Sequence, residues 1–232
     1  METNHLINLQ GIYKHFPMGR GKFTALSDVN LNIGKGEFAG LVGPSGSGKT
    51  TLLNIIGSLD NPSEGEAVVL GEDIKDLNPK ESAKLRKSHL GFIFQSFNLL
   101  PVYTVFENVE FPLLLLDIDT GKRKRMVAEA LEWVGLTSKM RSKPSMLSGG
   151  ECQRVAIARS MVKRPELVLA DEPTANLDAE NSHHILQTML QLNKELETTF
   201  LFATHDEKVI KYLRRIIHLK DGMVTTDEII QN

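Results

Sequence analysis

A segment rich in glycine, GPSGSGKT, occupies positions Gly43 to Thr50 of this 232-residue chain. Its glycines leave backbone N–H groups uncovered, and such groups at the start of a helix bind phosphate oxygens. Lys49 has the length and charge to reach terminal phosphates, and Thr50 offers a hydroxyl to Mg²⁺. The spacing predicts a phosphate-binding loop made of Gly43, Pro44, Ser45, Gly46, Ser47, Gly48, Lys49 and Thr50, with Thr51 directly after it.

A second segment, LVLADE (Leu167 to Glu172), is an apolar run that ends in two acids. A buried strand that ends in a carboxylate brings that charge to the edge of the sheet, where open α/β folds bind ligands. We expect Asp171 to hold Mg²⁺ through water and Glu172 to polarise a water against a terminal phosphate. The competing interpretation is a solvated acidic turn before Pro173.

The segment MLSGGECQRVAIARS (Met146 to Ser160) predicts another helix start suited to an anion. Ser148 is a good N-cap, and Gly149 and Gly150 expose backbone N–H groups. It contains no lysine, and no carboxylate-tipped strand lies near it in the sequence. This helix start therefore cannot complete a nucleotide site alone, but it could bind a phosphate that is held elsewhere.

These motifs need a scaffold, which the apolar patterns predict. Continuous apolar strands alternate with helices, which favours an α/β fold with a mostly parallel sheet. ALSDVNLNIGKGEF alternates instead like antiparallel strands, and the region from about Pro79 to about Lys163 has mostly helical patterns. The expected elements are strands in Glu37–Gly43, Glu166–Pro173 and Thr198–Asp206, a helix in Lys49–Leu59, a helical face at Ile185, Met189, Leu192 and Leu196, and two strands around an Asp-Gly turn in Arg214–Val224.

Composition narrows the classes of protein. The net charge is −2, without the basic excess of a nucleic-acid binder, and the basic run GKRKR (Gly121 to Arg125) is interpreted as a solvated helix start. The first residues do not resemble a signal peptide, and the longest aliphatic run, LLLL, is too short to span a bilayer. A role at a membrane would therefore require a partner. The single cysteine, Cys152, is either a reactive thiol at a helix start or a buried one.

Three of these segments, GPSGSGKT, LSGGECQR and LVLADE, resemble in order and spacing the ATP-binding subunit of an ABC transporter. The resemblance covers nearly the whole chain, and Leu147 to Arg154 is its most specific part. It implies a P-loop NTPase core with a mostly parallel sheet, an N-terminal antiparallel β-subdomain and an inserted α-helical lobe. The implied organisation is a single ATPase domain, 1–232, with a RecA-like core at about 1–94 and 164–232 and a helical subdomain at about 95–163.

The resemblance also assigns roles to single residues. Gln95 in FIFQSFN matches the glutamine that touches Mg²⁺ and the attacking water, and His205 in ATHD matches the switch histidine at the γ-phosphate. Phe16 falls where the family places an aromatic ring under adenine, with Tyr13 as a competitor. The simpler interpretations are a solvated amide for Gln95, a helix cap for His205 and a core aromatic for Phe16.

In the family, two subunits pack head to tail, so that Ser148, Gly149 and Gly150 of one cover the ATP on the loop of the other. The implied cofactors are ATP and Mg²⁺, with Thr50, Gln95 and Asp171 at the metal. Gln153 is assigned to ATP binding, and Asp178 in ANLD (Ala175 to Asp178) is assigned to the dimer interface. Where this chain has Cys152, the family usually has a polar or charged residue, so no ligand contact is inferred there.

LDNPSEGE, GFIFQSFNLLPVYTVFENVEFPLL and LADEPTANLD resemble the subgroup that serves lipoprotein release, macrolide export, antimicrobial-peptide resistance and the cell-division complex, by export, extraction or mechanotransmission. That resemblance implies an ATPase homodimer at the cytoplasmic face of the inner or plasma membrane, held by a permease and without a nucleic-acid partner. We expect the permease to dock on Gln95 to about Leu116. The alternatives are a soluble ABC-type ATPase acting on nucleic acid or ribosomes, whose coiled-coil insertion or tandem module this chain lacks, and a metabolite kinase, which leaves LSGGECQR unexplained.

Overall fold

The structure is a computed structural model that describes residues 5–19 and 21–230. Within these residues, the regular elements are two sheets, seven α-helices and two 3₁₀-helices of three residues each, Thr137–Lys139 and Pro144–Met146. The strands are β1 (His5–Met18), β2 (Gly21–Gly34), β3 (Phe38–Val42), β4 (Glu64–Val69), β5 (Glu72–Asp73), β6 (Leu90–Phe94), β7 (Leu167–Asp171), β8 (Thr199–Thr204), β9 (Arg215–Lys220) and β10 (Met223–Ile229). The helices are α1 (Lys49–Ile56), α2 (Pro79–His89), α3 (Val105–Leu114), α4 (Thr120–Trp133), α5 (Gly149–Met161), α6 (Ala179–Leu196) and α7 (Glu207–Ile210).

The larger sheet has the order β10-β9-β3-β8-β7-β6, in which β9 to β6 run parallel and β10 is antiparallel at one edge. The smaller, antiparallel sheet has the order β2-β1-β4-β5. In β2, buried Leu26, Leu31 and Ile33 alternate with exposed Asn30 and Asn32, because only one face of this sheet is covered. The predicted α/β fold with an antiparallel N-terminal part is confirmed.

Strand β3 shows why the parallel strands are apolar throughout. Phe38 and Val42 belong to a core shared with α3, α4, α5 and α6, whereas Ala39 and Leu41 belong to a second core on the other face. Since successive side chains of a strand point to opposite faces, a strand covered on both sides has no polar face. The rings of Phe38 and Phe202 lie 4.8 Å apart in the first core.

Helices α3, α4 and α5 pack on one another, and α5 also packs on β6. Helix α4 begins after the N-cap Asp119, whose carboxylate accepts from the Gly121 and Lys122 N–H groups. Lys122, Lys124 and Arg125 are exposed there, as expected for a solvated helix start, whereas Arg123 is turned to Glu110 in an ion pair of 3.0 Å. In the part of the chain that the structure describes, no helix has the length and apolar character needed to cross a membrane.

The fully buried Asn108 of α3 ties the preceding loop to its helix. Its Oδ1 accepts from the Leu100 N–H, and its Nδ2 donates to the carbonyls of Leu100, Tyr103 and Thr104. Backbone groups buried in this way have no water to replace a lost partner, so each unsatisfied group costs about 1–3 kcal/mol.

Asn108→Ala should therefore lower the free energy of unfolding by about 2–4 kcal/mol, measured by urea denaturation. The matched control is Asn32→Ala, an exposed position on β2, which should change it by less than about 0.5 kcal/mol. Equal, small effects at both positions would show that the buried amide does not hold the loop.

Candidate active site

Most of the residues expected at the phosphates and the metal lie at the carboxyl ends of four neighbouring strands. The loop Gly43–Thr50 follows β3, His205 follows β8, Asp171 ends β7 and is followed by Glu172, and Gln95 follows β6. The order β3-β8-β7-β6 makes these strand ends adjacent. Side chains that lie far apart in the sequence therefore meet at one edge of the sheet, where open α/β folds bind ligands.

The glycine-rich loop has a shape that larger residues could not adopt. A Cβ on Gly43 would lie 2.0 Å from the Leu219 carbonyl oxygen, and Gly48 has φ 101° directly before α1. Gly48 is the N-cap of α1 and has no side chain, so no capping side chain satisfies the first N–H groups of this helix. Pro44, Ser45 and Gly46 are exposed at the tip, whereas the hydroxyl of Ser47 is buried behind it.

Lys49 lies folded against this loop. Its ammonium donates to the carbonyls of Gly43 at 2.7 Å and Pro44 at 2.9 Å, and the residue is only 6% exposed. Burial lowers the pKa of the lysine, while the nearby carboxylates of Glu172 and Asp171 act in the opposite direction. An anion placed beside a cation that has lost water in this way strongly stabilises the charged form of that cation.

Thr50 and Asp171 form a pair of oxygen donors. The hydroxyl of Thr50 donates to Oδ1 of Asp171 at 3.2 Å and to Oδ2 at 3.0 Å. Burial raises the pKa of Asp171, the hydrogen bond from Thr50 lowers it, and the charge of Glu172 raises it further. A hydroxyl and a carboxylate are the hard ligands that Mg²⁺ takes in phosphate sites, so this donor set fits that ion.

Glu172 is held in an unusual backbone conformation, with φ 45°. Left-handed residues other than glycine cost about 1–3 kcal/mol and occur mostly at functional sites. Its N–H donates to the Ala203 carbonyl at 2.9 Å, and its carboxylate contacts Nδ1 of His205 at 2.6 Å and the Thr204 hydroxyl at 3.1 Å. The carboxylate is thus fixed from the end of β8, at the mouth of the phosphate loop.

His205 does not cap the helix that follows it. The cap of α7 is Asp206, whose carboxylate accepts from the Lys208 N–H at 2.9 Å. The His205 side chain is 59% exposed, compared with 15% for Glu172. An exposed imidazole beside the Glu172 carboxylate can turn toward a ligand, whereas a side chain that capped the helix would be held in place.

A profile of the ABC transporter family matches residues 26–175. The chain belongs to this family. It is 44% identical over 227 residues to the uncharacterised ABC transporter ATP-binding protein MJ0796 of Methanocaldococcus jannaschii, which covers 96% of this chain and 97% of the relative. It is 44% identical over 223 residues to YtrE of Bacillus subtilis, with 94% and 96% covered.

The macrolide export ATP-binding/permease protein MacB of Rhodopirellula baltica is 44% identical over 225 residues, which are 96% of this chain and 33% of that protein. Among solved structures, the dimeric post-hydrolysis state of MJ0796 bound to ADP and Pi has a TM-score of 0.90 and 42% identity, covering 97% of this chain and 99% of that one. The chain is therefore an ATP-binding, ATP-hydrolysing cassette of ABC transporters, and the predicted likeness to the macrolide-export subgroup is confirmed.

The second glycine-rich helix start of this ABC cassette, at α5, has its own N-terminal cap. Ser148 caps α5, and a reciprocal pair of hydrogen bonds joins it to Glu151. Ser148 and Gly149 are exposed, while a Cβ on the buried Gly150 would lie 2.5 Å from Oδ1 of Asn181. The predicted helix start is thus present with Ser148 and Gly149 on the surface, whereas Gly150, which was also expected to be exposed, is buried.

Gln153, which was assigned to ATP binding, lies elsewhere. Its side chain is fully buried, and its amide nitrogen donates to the Pro173 carbonyl. The Gln153 side chain lies about one turn into α5 and is directed toward the segment after β7. It therefore does not face a ligand on the surface of this chain. Gln153 supports the 173–178 segment instead, and the assignment to ATP binding is wrong for this side chain.

The other expected residues lie on the surface. Gln95 is exposed, and its backbone carbonyl accepts from Nδ2 of Asn176 at 2.9 Å. Asp178 caps α6 through the Asn181 N–H at 2.8 Å, and Phe16 is partly exposed with the Lys14 ammonium 5.1 Å from its ring centre. Tyr13 is less exposed than Phe16, so Phe16 remains the better candidate for a ring that meets adenine.

Cys152 is a buried thiol. It is nearly covered, and burial raises its pKa, with the charge of Glu151 acting in the same direction. Its burial agrees with the second of the two interpretations left open by the sequence, a buried thiol.

Lys49→Ala should reduce ATP hydrolysis by at least about a hundredfold, because the main cation against the terminal phosphates is removed. The measurement is steady-state phosphate release at saturating MgATP, together with nucleotide affinity by fluorescence. Lys75→Ala, an exposed loop position, is the control and should leave both unchanged. Retained turnover in the Lys49 variant would exclude this loop as the phosphate site.

Proposed function

We propose that this ATPase works as a head-to-tail homodimer that binds MgATP at its subunit junctions and drives a membrane permease of the macrolide-export type. The observation that carries the proposal is the presence of two phosphate-type helix starts in one chain. Helix α1 begins with Lys49 and lies beside the strand-end carboxylate of Asp171. The exposed start of α5 has no lysine or strand-end carboxylate of its own, and its first-turn acid, Glu151, is occupied by the cap at Ser148 and by Lys139. The simplest source of a phosphate for α5 is a nucleotide bound at α1 of a second copy of the chain.

In the proposed site, the backbone N–H groups around Gly43–Lys49 and the Lys49 ammonium hold the phosphates. Thr50, Asp171 and Gln95 are the residues that would hold Mg²⁺, which neutralises phosphate charge when bound. Phe16 stacks under adenine. Glu172 polarises the attacking water, and His205, next to it, senses the terminal phosphate, so that ATP and water give ADP and phosphate.

The contribution of the second subunit comes from one surface, formed by Ser148, Gly149 and Asp178. Gly149 lies close to the 175–178 segment, with its Cβ position 3.8 Å from the Asn176 carbonyl oxygen. The exposed helix start and the segment expected to cross between subunits are thus neighbours on one chain. Such an arrangement lets a single partner contact both.

A docking groove for the permease lies between α2, β6 and α3. It has a volume of about 540 Å³, and its apolar wall includes Leu59, Phe92, Leu100, Phe111 and Leu115. Phe94 and Asn98, on either side of Gln95, also line it, so a segment bound there would lie beside the residue proposed to contact Mg²⁺. Leu59, Phe111 and Leu115 in this wall are exposed large apolar side chains, which a bound apolar segment would cover.

The groove is also cationic. The side chains of Arg86, Lys87, Arg159 and Lys163 line it, none is in an ion pair with a described residue, and no Asp or Glu is among the lining residues that the structure describes. Burial lowers the pKa of Lys163 to about 8. We therefore favour a short amphipathic segment of the permease with an acidic side chain. Binding to a permease would place the ATPase at the cytoplasmic face of the inner or plasma membrane.

Glu172→Gln should lower hydrolysis by about 10²- to 10⁴-fold, the usual effect of losing a general base, and should make a dimer accumulate with ATP. The amide keeps the volume of the side chain, and removing a negative charge from each site favours association. Light scattering should show a dimer with MgATP and a monomer with ADP. A variant that binds ATP and stays monomeric even with the permease present would contradict the shared site.

Adding Ser148→Arg to Glu172→Gln should abolish that dimer, because bulk and charge would block the phosphate seat. Ser148→Gly is the matched control. It removes the same capping hydroxyl at a cost of only a few tenths of a kcal/mol, leaves the seat open and should still dimerise. Equal loss of the dimer in both would indicate that the helix cap alone is responsible.

Leu115→Lys should abolish stimulation of ATP hydrolysis by the permease while leaving the rate of the isolated cassette within about twofold, because a surface substitution away from the nucleotide site has little effect on folding. Leu115 lines the groove and is 50% exposed. Leu99, inside the segment expected to dock, packs against the core and is a poorer choice. Ile229→Lys, on the exposed β10, is the control and should keep the stimulation. Stimulation that survives Leu115→Lys would exclude the groove.

A further inference from the structure

We propose that Thr204 is a positioning residue for hydrolysis, whose hydroxyl holds the Glu172 carboxylate in place while His205 engages the nucleotide. The inference rests on the proposed role of Glu172. It concerns a residue that no motif in the sequence distinguished, apart from its place next to the histidine.

The hydroxyl of Thr204 has its hydrogen available for one partner. Thr204 ends β8 and is fully buried. Its Oγ1 accepts the Asp206 N–H at 3.0 Å and lies 3.1 Å from Oε2 of Glu172. Since a hydroxyl carries one hydrogen and a carboxylate can only accept, Thr204 donates to Glu172. A bond from a hydroxyl to an ionised carboxylate is stronger than one between neutral groups.

The two oxygens of Glu172 are held by successive residues that differ in mobility. Oε1 contacts Nδ1 of His205, whose side chain is 59% exposed, and Oε2 contacts Thr204, which is 0% exposed. An exposed imidazole can rotate away toward a phosphate, but a buried hydroxyl at the end of a central strand cannot. Once His205 turns, Thr204 is the described side chain that still fixes the carboxylate.

The neighbours of Thr204 are themselves fixed. Asp206 accepts a hydrogen bond from the Thr174 hydroxyl at 3.1 Å, so the amide that Thr204 accepts from is anchored to the segment leading to 175–178. The N–H of Glu172 donates to the Ala203 carbonyl. The end of β8 therefore positions both the main chain and the carboxylate of Glu172. A general base needs such positioning because it must be oriented toward a single water molecule.

Thr204→Val removes the hydroxyl and keeps the shape, and Thr204→Ser keeps the hydroxyl. We expect Thr204→Val to lower kcat for ATP about tenfold to a hundredfold, the effect of misplacing a reacting group, with KM changed less than about twofold. Thr204→Ser should stay within about threefold of the parent. Equal losses in Val and Ser, or a change confined to KM, would overturn the proposal and leave a structural role.

A double-mutant cycle separates positioning from general damage. In the Glu172→Gln background, Thr204→Val should lower the single-turnover rate less than twofold, because the carboxylate that it positions is absent. A further loss as large as in the parent would refute the coupling. If Thr204→Val does not fold, Thr204→Cys, with its weak donor, should still lose most of kcat.

The same series distinguishes the two proposals. If Glu172→Gln retains hydrolysis, the assignment of Glu172 fails, and the role of Thr204 fails with it. If Glu172→Gln is inactive while Thr204→Val turns over like the parent, only the inference about Thr204 fails.

Discussion

The register of four parallel strands is the constraint on which the site depends. Val42 of β3 lies opposite Thr204 of β8, Ala203 opposite Asp171 of β7, and Asp171 opposite Phe94 of β6. A slip of one residue would move a strand end by about 3.3 Å and turn its side chains to the other face. The hydrogen bonds between Thr50 and Asp171 and between Thr204 and Glu172 would then both be lost. The two cores on either face of the sheet hold this register.

Much of the site could be predicted from the sequence, because its motifs are local. The glycines before Lys49, the cap at Ser148 and the apolar run before Asp171 each lie within a few residues of the group they position. Local backbone geometry and alternation of apolar residues are what sequence patterns encode. The predicted strands and helices around these motifs are accordingly present in the fold.

What could not be predicted depends on contacts between distant parts of the chain. Gln153 follows the exposed helix start by a few residues, yet its side chain points inward to the Pro173 carbonyl, because α5 rotates successive residues by 100° around its axis. In the sequence, nothing distinguishes Thr204 from the other residues of its strand, because its hydrogen-bond partner, Glu172, lies 32 residues away. The docking groove is formed by elements that are separate in the sequence. The segment from Gln95 to about Leu116 therefore indicated a docking surface but not the cationic side chains that line it.

The charges of Lys49 and Asp171 indicate how the site would interact with a phosphate and a metal ion. Burial lowers the pKa of Lys49 and raises that of Asp171, so for both groups the charged form is the one disfavoured by loss of water. Opposite charges brought into contact relieve that cost, and the gain is larger in a buried site than in water. A phosphate beside Lys49 and a divalent cation beside Asp171 would each do so. The fold therefore holds Lys49 and Asp171 in positions where a ligand group of opposite charge stabilises their charged forms more than the remaining water does.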